Sequence, residues 1–380
     1  MLGHGLTNAE RGKSLIEFAG KITNKEFKEP DACSFCNNFF KSGMDKVIRN
    51  VVKKLQDAEF DTFLVGSVAS NEMAKQQDEL WMAIGIEDVE SIKSEINREI
   101  GKRIEKLTGK KFDLKNPDVT IVVDLNTDNI RLQLRSLYVY GRYLKLIRGI
   151  PQTRWVCKRC SGKGCTFCKG EGKLYKTSVQ EIIEKPLLKA AKSKNSSFSG
   201  SGREDIDARC LDHRPFVIEL IKPLKRKMDL KKIENQINKS KKVKANGLKL
   251  VVEGRQLIRK IKTERIDKTY LAEVDFKNGI DKNKLKLIKE IVREPILQKT
   301  PLRVVHRRAD KFRKRSVKSV SYKLLTRKKM QFKIKAESGL YIKELITGDE
   351  GRTKPNISEI LGNNVKKIRL DVIKIWTGKG

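Results

Sequence analysis

Histidine is scarce in this chain of 380 residues: there are three, His4, His213 and His306. Imidazole is the usual proton carrier near neutral pH, so histidine-based catalysis and histidine-rich metal sites have little to work with. Long apolar runs are missing too. No stretch approaches the ~20 residues that span a bilayer. The opening MLGHGLTNAERGK has no apolar signal core. A cytoplasmic protein with no membrane partner is the expectation. No strand runs into a glycine-rich turn at the head of a helix, the arrangement that cradles a nucleotide. No nucleotide cofactor is therefore expected. No segment repeats at a fixed period.

Acidic residues are also short. Against 84 Lys and Arg stand 47 Asp and Glu, a formal net charge of +37. Such a surplus repels itself, and a polyanion offsets it. Nucleic acid is the first such partner, because covering phosphates releases counterions; an anionic membrane surface is the second.

The length points to two or three domains, and 38% hydrophobic residues are enough for folded cores. Val47, Ile48, Val51, Val52 and Leu55 mark one face of a helix. DTFLVGSV (61–68) reads as a strand. Val89, Ile92, Ile96, Ile100, Ile104 and Leu107 recur at spacings of three and four, so a second helix is expected, closed by Gly109. DVTIVVDL (118–125) is a strand, and 130–146 alternates as its hairpin return. Residues 40–150 thus form a small α+β unit. A helix is expected over 178–193, disturbed by Pro186. From 195 to 380 come six or seven strands with about three helices, giving a mixed, largely antiparallel sheet. In that reading 301–306 is a strand and 307–315 a basic loop. The fold class is α+β.

Six of the seven cysteines fall in three C-x-x-C pairs. Without a secretion signal, that spacing points to a metal rather than to disulfides. In CKRCSGKGCTFC, Cys157, Cys160, Cys165 and Cys168 can complete a closed tetrahedral shell for a structural zinc. Gly162 and Gly164 allow the tight turn between the pairs. Cys33 and Cys36 can instead complete a site with one of these pairs, and an iron–sulfur cluster is a further option. Cys210 has no spacing partner and reads as a small apolar side chain.

The stretch SGSGREDIDARC (199–210) packs Arg203, Glu204, Asp205, Asp207 and Arg209 into a few positions. A charge run is usually a solvated loop. Here a strand, PFVIEL, follows and can anchor it, and an arginine beside an aspartate can hold a carboxylate ionised. The Ser-Gly run reads as a flexible lead.

GREDIDAR followed by RPFVIEL resembles the catalytic motif of RNA pseudouridine synthases. It is most similar to the archaeal and eukaryotic tRNA pseudouridine synthases that modify the TΨC loop. GRYLKLIRGIPQTRW, the cysteine block, KTYLAEV, TPLRVVHRRAD and SGLYIKELITGDEGRTKPNISEILG match in the same order, over about 40–380. The resemblance implies a tRNA partner and isomerisation of uridines 54 and 55 without an organic cofactor. It implies a THUMP-containing accessory domain (1–150), a cysteine-rich zinc module (151–175) and a catalytic domain (176–380). It implies that Asp205 is the catalytic aspartate, with Asp207 the competing residue. Tyr270 would pack on the target base, Ile342 and Lys343 would line the pocket, and Lys343 or Arg203 would pair with the carboxylate. Arg307, Arg308, Arg313, Lys314 and Arg315 would grip RNA. LDHRPF departs from the family's glycine-containing turn at Asp212 and His213. CSFCNNFF departs from the Leu-Gly-Arg stretch expected there. A non-catalytic, zinc-containing RNA-binding protein is the alternative. The glycine-rich C-x-x-C block is also similar to J-domain chaperones, but with only about one and a half repeats. A THUMP-linked methyltransferase is disfavoured, because GSGRED follows a helix and precedes a strand.

Overall fold

The computed structural model describes residues 6, 8–28, 31–33, 35–85, 90–306 and 308–377. His4 and Val89 lie outside these. The chain divides into two units. One comprises residues 1–136, 191–194 and 221–227; the other holds the remainder.

In the first unit, α1 (Asn8–Thr23) is followed by α2 (Met44–Leu55), β1 (Thr62–Val68), α3 (Asn71–Ile84) and α4 (Ile92–Thr108). Strands β2 (Lys111–Phe112), β3 (Val119–Asp124) and β4 (Asn129–Leu134) complete a sheet ordered β2-β1-β3-β4. β1 runs parallel to both β2 and β3. The apolar stripes legible in the sequence form its core. Val47, Ile48, Val51 and Leu55 pack with Ile96, Ile100 and Ile104 over Phe63, Val65, Val119 and Ile121. The Ser91 hydroxyl caps α4 by accepting from Ser94 N–H. Asp118 ties the unit's edge together. Its carboxylate meets Arg135 at 2.6 Å and Arg226 at 3.1 Å and accepts from Asp61 N–H at 3.0 Å.

The second unit opens with β5 (Leu137–Lys145). The alternating stretch 130–146 is therefore two strands. β4 returns along β3, while β5 pairs in a different sheet, between β7 (Arg209–Ile221) and β8 (Val243–Val251). Period-two alternation identifies a strand but not the sheet it joins. The division falls at Arg135, whose side chain is held by Asp118.

Helix α5 (Val179–Ala191) runs through Pro186, at the cost of one ladder hydrogen bond. β6 (Asn195–Gly200) then pairs with β7. The remaining elements are α6 (Leu230–Ile237), α7 (Gly254–Thr263), β9 (Lys268–Phe276), a 3-10 stretch (Lys282–Val292) and β10 (Ile296–Lys299). After them come α8 (Leu302–Val305), β11 (Phe312–Arg315), β12 (Val317–Thr326), β13 (Lys329–Ala336), α9 (Ile342–Thr347), β14 (Thr353–Lys354), α10 (Ile357–Leu361) and β15 (Val365–Ile375).

The large sheet is ordered β12-β13-β9-β15-β7-β5-β8, with β6 beside β7. The pairs along this order are antiparallel apart from β15–β7, whose register partners include Val372 and Cys210. Cys210 is fully buried and packs with Val372 and Ile375, as a small apolar residue should. A second sheet is ordered β11-β10-β14. Two expectations change here. Residues 302–305 are helical rather than extended, and 312–315 form a strand on β10 rather than a solvated loop.

Candidate active site

The Ser-Gly run is not a flexible lead. Its first half is β6, Ser199 and Ser201 are buried, and Ser201 N–H donates to Pro215 O. The chain turns at Gly202, where φ is +73°, and a Cβ there would come within 3.2 Å of the Arg214 guanidinium. This is a position for glycine on both counts.

The loop after it is bolted down through its backbone. Lys145 Nζ donates to Asp205 O at 3.1 Å and to Ile206 O at 3.0 Å. Gly149 N–H reaches Ile206 O, and Arg148 reaches the carbonyls of Asp207 and Leu370. Gln152 donates to Gly202 O at 2.9 Å. Glu204 points inward. Its buried carboxylate pairs with Arg214 at 3.1 Å and accepts from the Tyr143 hydroxyl at 3.0 Å. Burial, then the Glu204 charge, push the Tyr143 phenol far above its ordinary value. Burial draws Lys145 down despite the nearby carboxylates.

With the backbone fixed, Asp205 and Asp207 project into a cleft of about 560 Å³, in the ordinary range for a ligand site. Asp205 meets Arg303 at 2.8 Å through one oxygen and Lys343 at 3.4 Å through the other. Lys343 lies 2.8 Å from both oxygens of Asp207. The two carboxylates differ in depth: 29% of the Asp205 side chain is exposed, against 60% for Asp207. Burial would raise the Asp207 carboxyl, but the Lys343 ammonium outweighs it and holds the group below its ordinary value.

Tyr270 and Ile342 line the same cleft. Burial pushes the Tyr270 phenol up to about 12. It is thus a neutral ring near neutral pH, suited to packing against a base. Lys268 also lines the cleft, and burial followed by the Arg214 charge bring its ammonium down to about 8.

Arg203 lines the cleft as an exposed residue, and among the described residues no hydrogen bond or ion pair joins it to Asp205. Arg303 holds that place. Its Nε meets the buried Glu344 at 2.5 Å, which aims the guanidinium at Asp205. Arg303 escapes the sequence pattern, because TPLRVV looks extended while the fold makes 302–305 helical. Pro301 sits at the N-cap rather than at the first helical position that proline favours, so the local sequence carries little sign of the helix.

Of the basic segment, Arg308, Arg313 and Arg315 line the cleft. Arg308 donates to the Tyr341 hydroxyl, and Arg313 to the Thr300 hydroxyl. Lys314 is exposed and, one step along β11, is not part of the lining. Arg307 lies outside the described residues.

Cys157, Cys160, Cys165 and Cys168 close on one another, with all four sulfurs within 4.8 Å, and could hold a metal ion. Three edges of the set measure 3.7–3.9 Å. Backbone N–H groups point at the sulfurs: Gly164 at Cys160, and Cys165 and Gly172 at Cys168, each at 3.2 Å. Burial alone would raise the Cys168 thiol; those donors bring it down to about 7. The turn between the pairs uses Gly164 at φ +95°, where a Cβ would strike Gly170 O at 2.6 Å. Among the described residues, Cys33 and Cys36 are not part of this grouping. Cys36 is buried in the first unit's core, and its N–H donates to Cys33 Sγ.

Residues 138–376 match the family model described as Pus10, C-terminal, and residues 47–124 match that of the Pus10 THUMP domain, archaeal. A protein of Methanothrix thermoacetophila named tRNA pseudouridine synthase Pus10 is 37% identical over 99% of this chain and 89% of its own length. The proteins of the same name from Archaeoglobus fulgidus and Methanocaldococcus jannaschii are 41% and 43% identical. The alignments cover 91% of this chain in both cases, with 95% and 76% of the relatives' lengths. Among solved structures, a Cbf5-Nop10-Gar1 complex is similar at a TM-score of 0.32 and 13% identity, over 62% of this chain and 48% of that one.

Proposed function

The chain belongs to the Pus10 family, and from that membership and the cleft around Asp205 we propose that it is a tRNA pseudouridine synthase acting at uridines 54 and 55 of the TΨC loop. One observation carries the reading. Asp205 is the more sheltered of two carboxylates on a rigid loop, flanked by Arg303 and Lys343 and facing the same cleft as Tyr270.

The reaction breaks the N1–C1′ bond of uridine, turns the base and joins C5 to C1′. The C5 proton is lost and N1 regains one, so atoms and charge balance without a redox or group donor. The uridine must first leave its stack, at a cost of a few kcal/mol that contacts in the pocket offset. Tyr270 and Ile342 supply those contacts. Asp205 assists cleavage at C1′, and Lys343 and Arg303 hold its carboxylate in line. Arg203, at the exposed side of the cleft, meets phosphate instead. Arg308, Arg313 and Arg315, with Arg307 and Lys314, grip the RNA backbone and so set its position.

The four-cysteine group is read as a structural zinc site. A tetrahedron with Zn–S bonds of about 2.3 Å has edges of about 3.8 Å, the spacing of these sulfurs. Zinc would cross-link residues 157–168 and take no part in the chemistry. The THUMP-containing unit holds the body of the tRNA. Among the described residues no helix is long and apolar enough to cross a membrane; a cytoplasmic place of work belongs to this proposal.

The test is to incubate the protein with unmodified tRNA transcript and map pseudouridine at single-nucleotide resolution. Modification at both uridines is expected. Tight binding without modification would favour an RNA-binding protein that is not an enzyme.

A further inference from the structure

The cleft uses one side of the large sheet. Tyr270 and Val372 are register partners on β9 and β15, and both line it. Their neighbours Leu271 and Asp371 are also partners and point to the other side, since successive residues of a strand alternate. The apolar core follows the first side. Ala272, Val274, Phe332 and Ile334 pack there beneath Ile288 of the 3-10 stretch and Leu345 of α9.

The reverse side carries charge instead. Lys333 shares a row with Leu271 and Asp371. Two residues along, Lys323 and Arg369 lie in the row of Gln331 and Glu273; two further, Lys367 lies in that of Asp275. Lys323, Lys333, Lys367 and Arg369 are all exposed. Among the described residues, none of these four forms an ion pair. Of the three carboxylates named on this side, Asp371 is engaged by Arg209 and Arg148 and Glu273 by Lys329, which leaves Asp275, in the row of Lys367, against four cations. The cations are therefore left with little internal compensation.

Trp376 closes one end of the surface. Its indole N–H donates to Thr269 Oγ1 at 2.9 Å, and the Lys335 ammonium stands 3.8 Å over the ring. Thr269 and Lys335 are partners in the row beyond Lys333, so the indole lies on this reverse side. It is nevertheless 47% exposed. Strands about 4.8 Å apart, with alternate residues about 6.7 Å apart along each, set these cations close enough to meet consecutive phosphates of one strand. Exposed cations on a sheet with an exposed indole are the makings of a nucleic-acid platform.

We propose that this reverse side binds a second RNA molecule, through its phosphate backbone and by stacking at Trp376. An RNA whose uridine is inserted beside Tyr270 leaves on the Tyr270 side. A stiff duplex arm does not fold back around the edge strand β12, so the occupant is a separate RNA. This inference rests on the reading of the protein as a tRNA-modifying enzyme.

The test counts RNA. Unmodified tRNA transcript is titrated into the full-length protein at low and at moderate salt, with complexes sized by analytical ultracentrifugation. Two transcripts per chain are expected at low salt, the second bound more weakly. In Lys323→Ala/Lys333→Ala/Lys367→Ala/Arg369→Ala the second event disappears, while single-turnover pseudouridine formation with enzyme in excess is unchanged. Losing up to four phosphate contacts should flatten the logarithmic salt slope of overall RNA binding by about three. Lys333→Glu/Lys367→Glu, checked by thermal melting, repeats the test with fewer changes. A wild type that modifies tRNA but never binds more than one overturns the inference alone. A quadruple variant with weakened first binding and raised KM also overturns it, by placing this surface in the substrate's own footprint. Two transcripts bound with no modification would overturn the proposed activity and leave the second site standing.

Discussion

Arg303 and Asp205 meet at 2.8 Å across the cleft although 98 residues separate them in the chain. The contact is set up from behind, because Arg303 is also held at 2.5 Å by the buried Glu344. Burial opposes the charge on this guanidinium, and Glu344 with Asp205 outweigh it and hold the group more firmly protonated than usual. Arg303→Ala should therefore reduce kcat by ~100-fold, the scale for losing one positioned charge partner in an active site, with a smaller change in tRNA affinity. Arg303→Lys keeps the charge but cannot bridge both carboxylates. It should recover less than a tenth of the loss in single-turnover assays.

Glu344→Gln separates orientation from charge. It leaves the Arg303–Asp205 contact chemically possible but removes the anion that aims it. We expect a fall in kcat of about ten-fold at unchanged KM, measured on unmodified transcript. A rise in KM with normal kcat would place Glu344 in RNA binding instead.

Lys268 gives the fold a pH signature. Its folded value is about 8, below the ordinary 10.4. Between these limits the unfolded chain holds more protons at this site, so the site's contribution to stability rises with pH. Below about 8 both states are protonated, and the cost of burying the charge is constant. Lys268→Met removes that cost. Denaturant melts should show the variant gaining on the wild type at neutral pH, with the difference shrinking steadily above pH ~8.

Metal removal should act locally. Chelation, or Cys157→Ser, should strip one metal per chain and raise hydrogen exchange over 155–175. The strands of the large sheet should keep their protection. A metal-free protein with native protection over the cysteine segment would contradict the four-thiolate reading.

In the first unit α2 and α4 were legible because they carry apolar stripes, Val47 to Leu55 and Ile92 to Ile104, that fill one core, whereas α1 and α3 were not expected. The cysteine pairs were legible from their spacing, because C-x-x-C pairs act over a few residues; that Cys157, Cys160, Cys165 and Cys168 close on one another without Cys33 and Cys36 shows only in the fold. What stayed hidden depends on pairing between distant segments. The alternation of 130–146 could not show that Leu137 begins a strand of another sheet. The Ser-Gly run looked flexible because glycine and serine are small. In the fold they are small because Gly202 lies against Arg214. Asp205, Tyr270 and Lys343 were named through resemblance to a family, and the fold brings all three to one cleft. Arg303 was hidden in a segment whose short helix is made by tertiary contacts rather than by propensity.

The central claim is that Asp205, not Asp207, acts at the sugar. Asp205→Asn and Asp207→Asn are to be compared in single-turnover mapping of pseudouridine on unmodified tRNA, with affinity measured alongside. The account predicts no product above background for Asp205→Asn at near-normal affinity. It predicts reduced but clear product for Asp207→Asn, whose carboxylate only steadies Lys343. Product from Asp205→Asn and none from Asp207→Asn would contradict it.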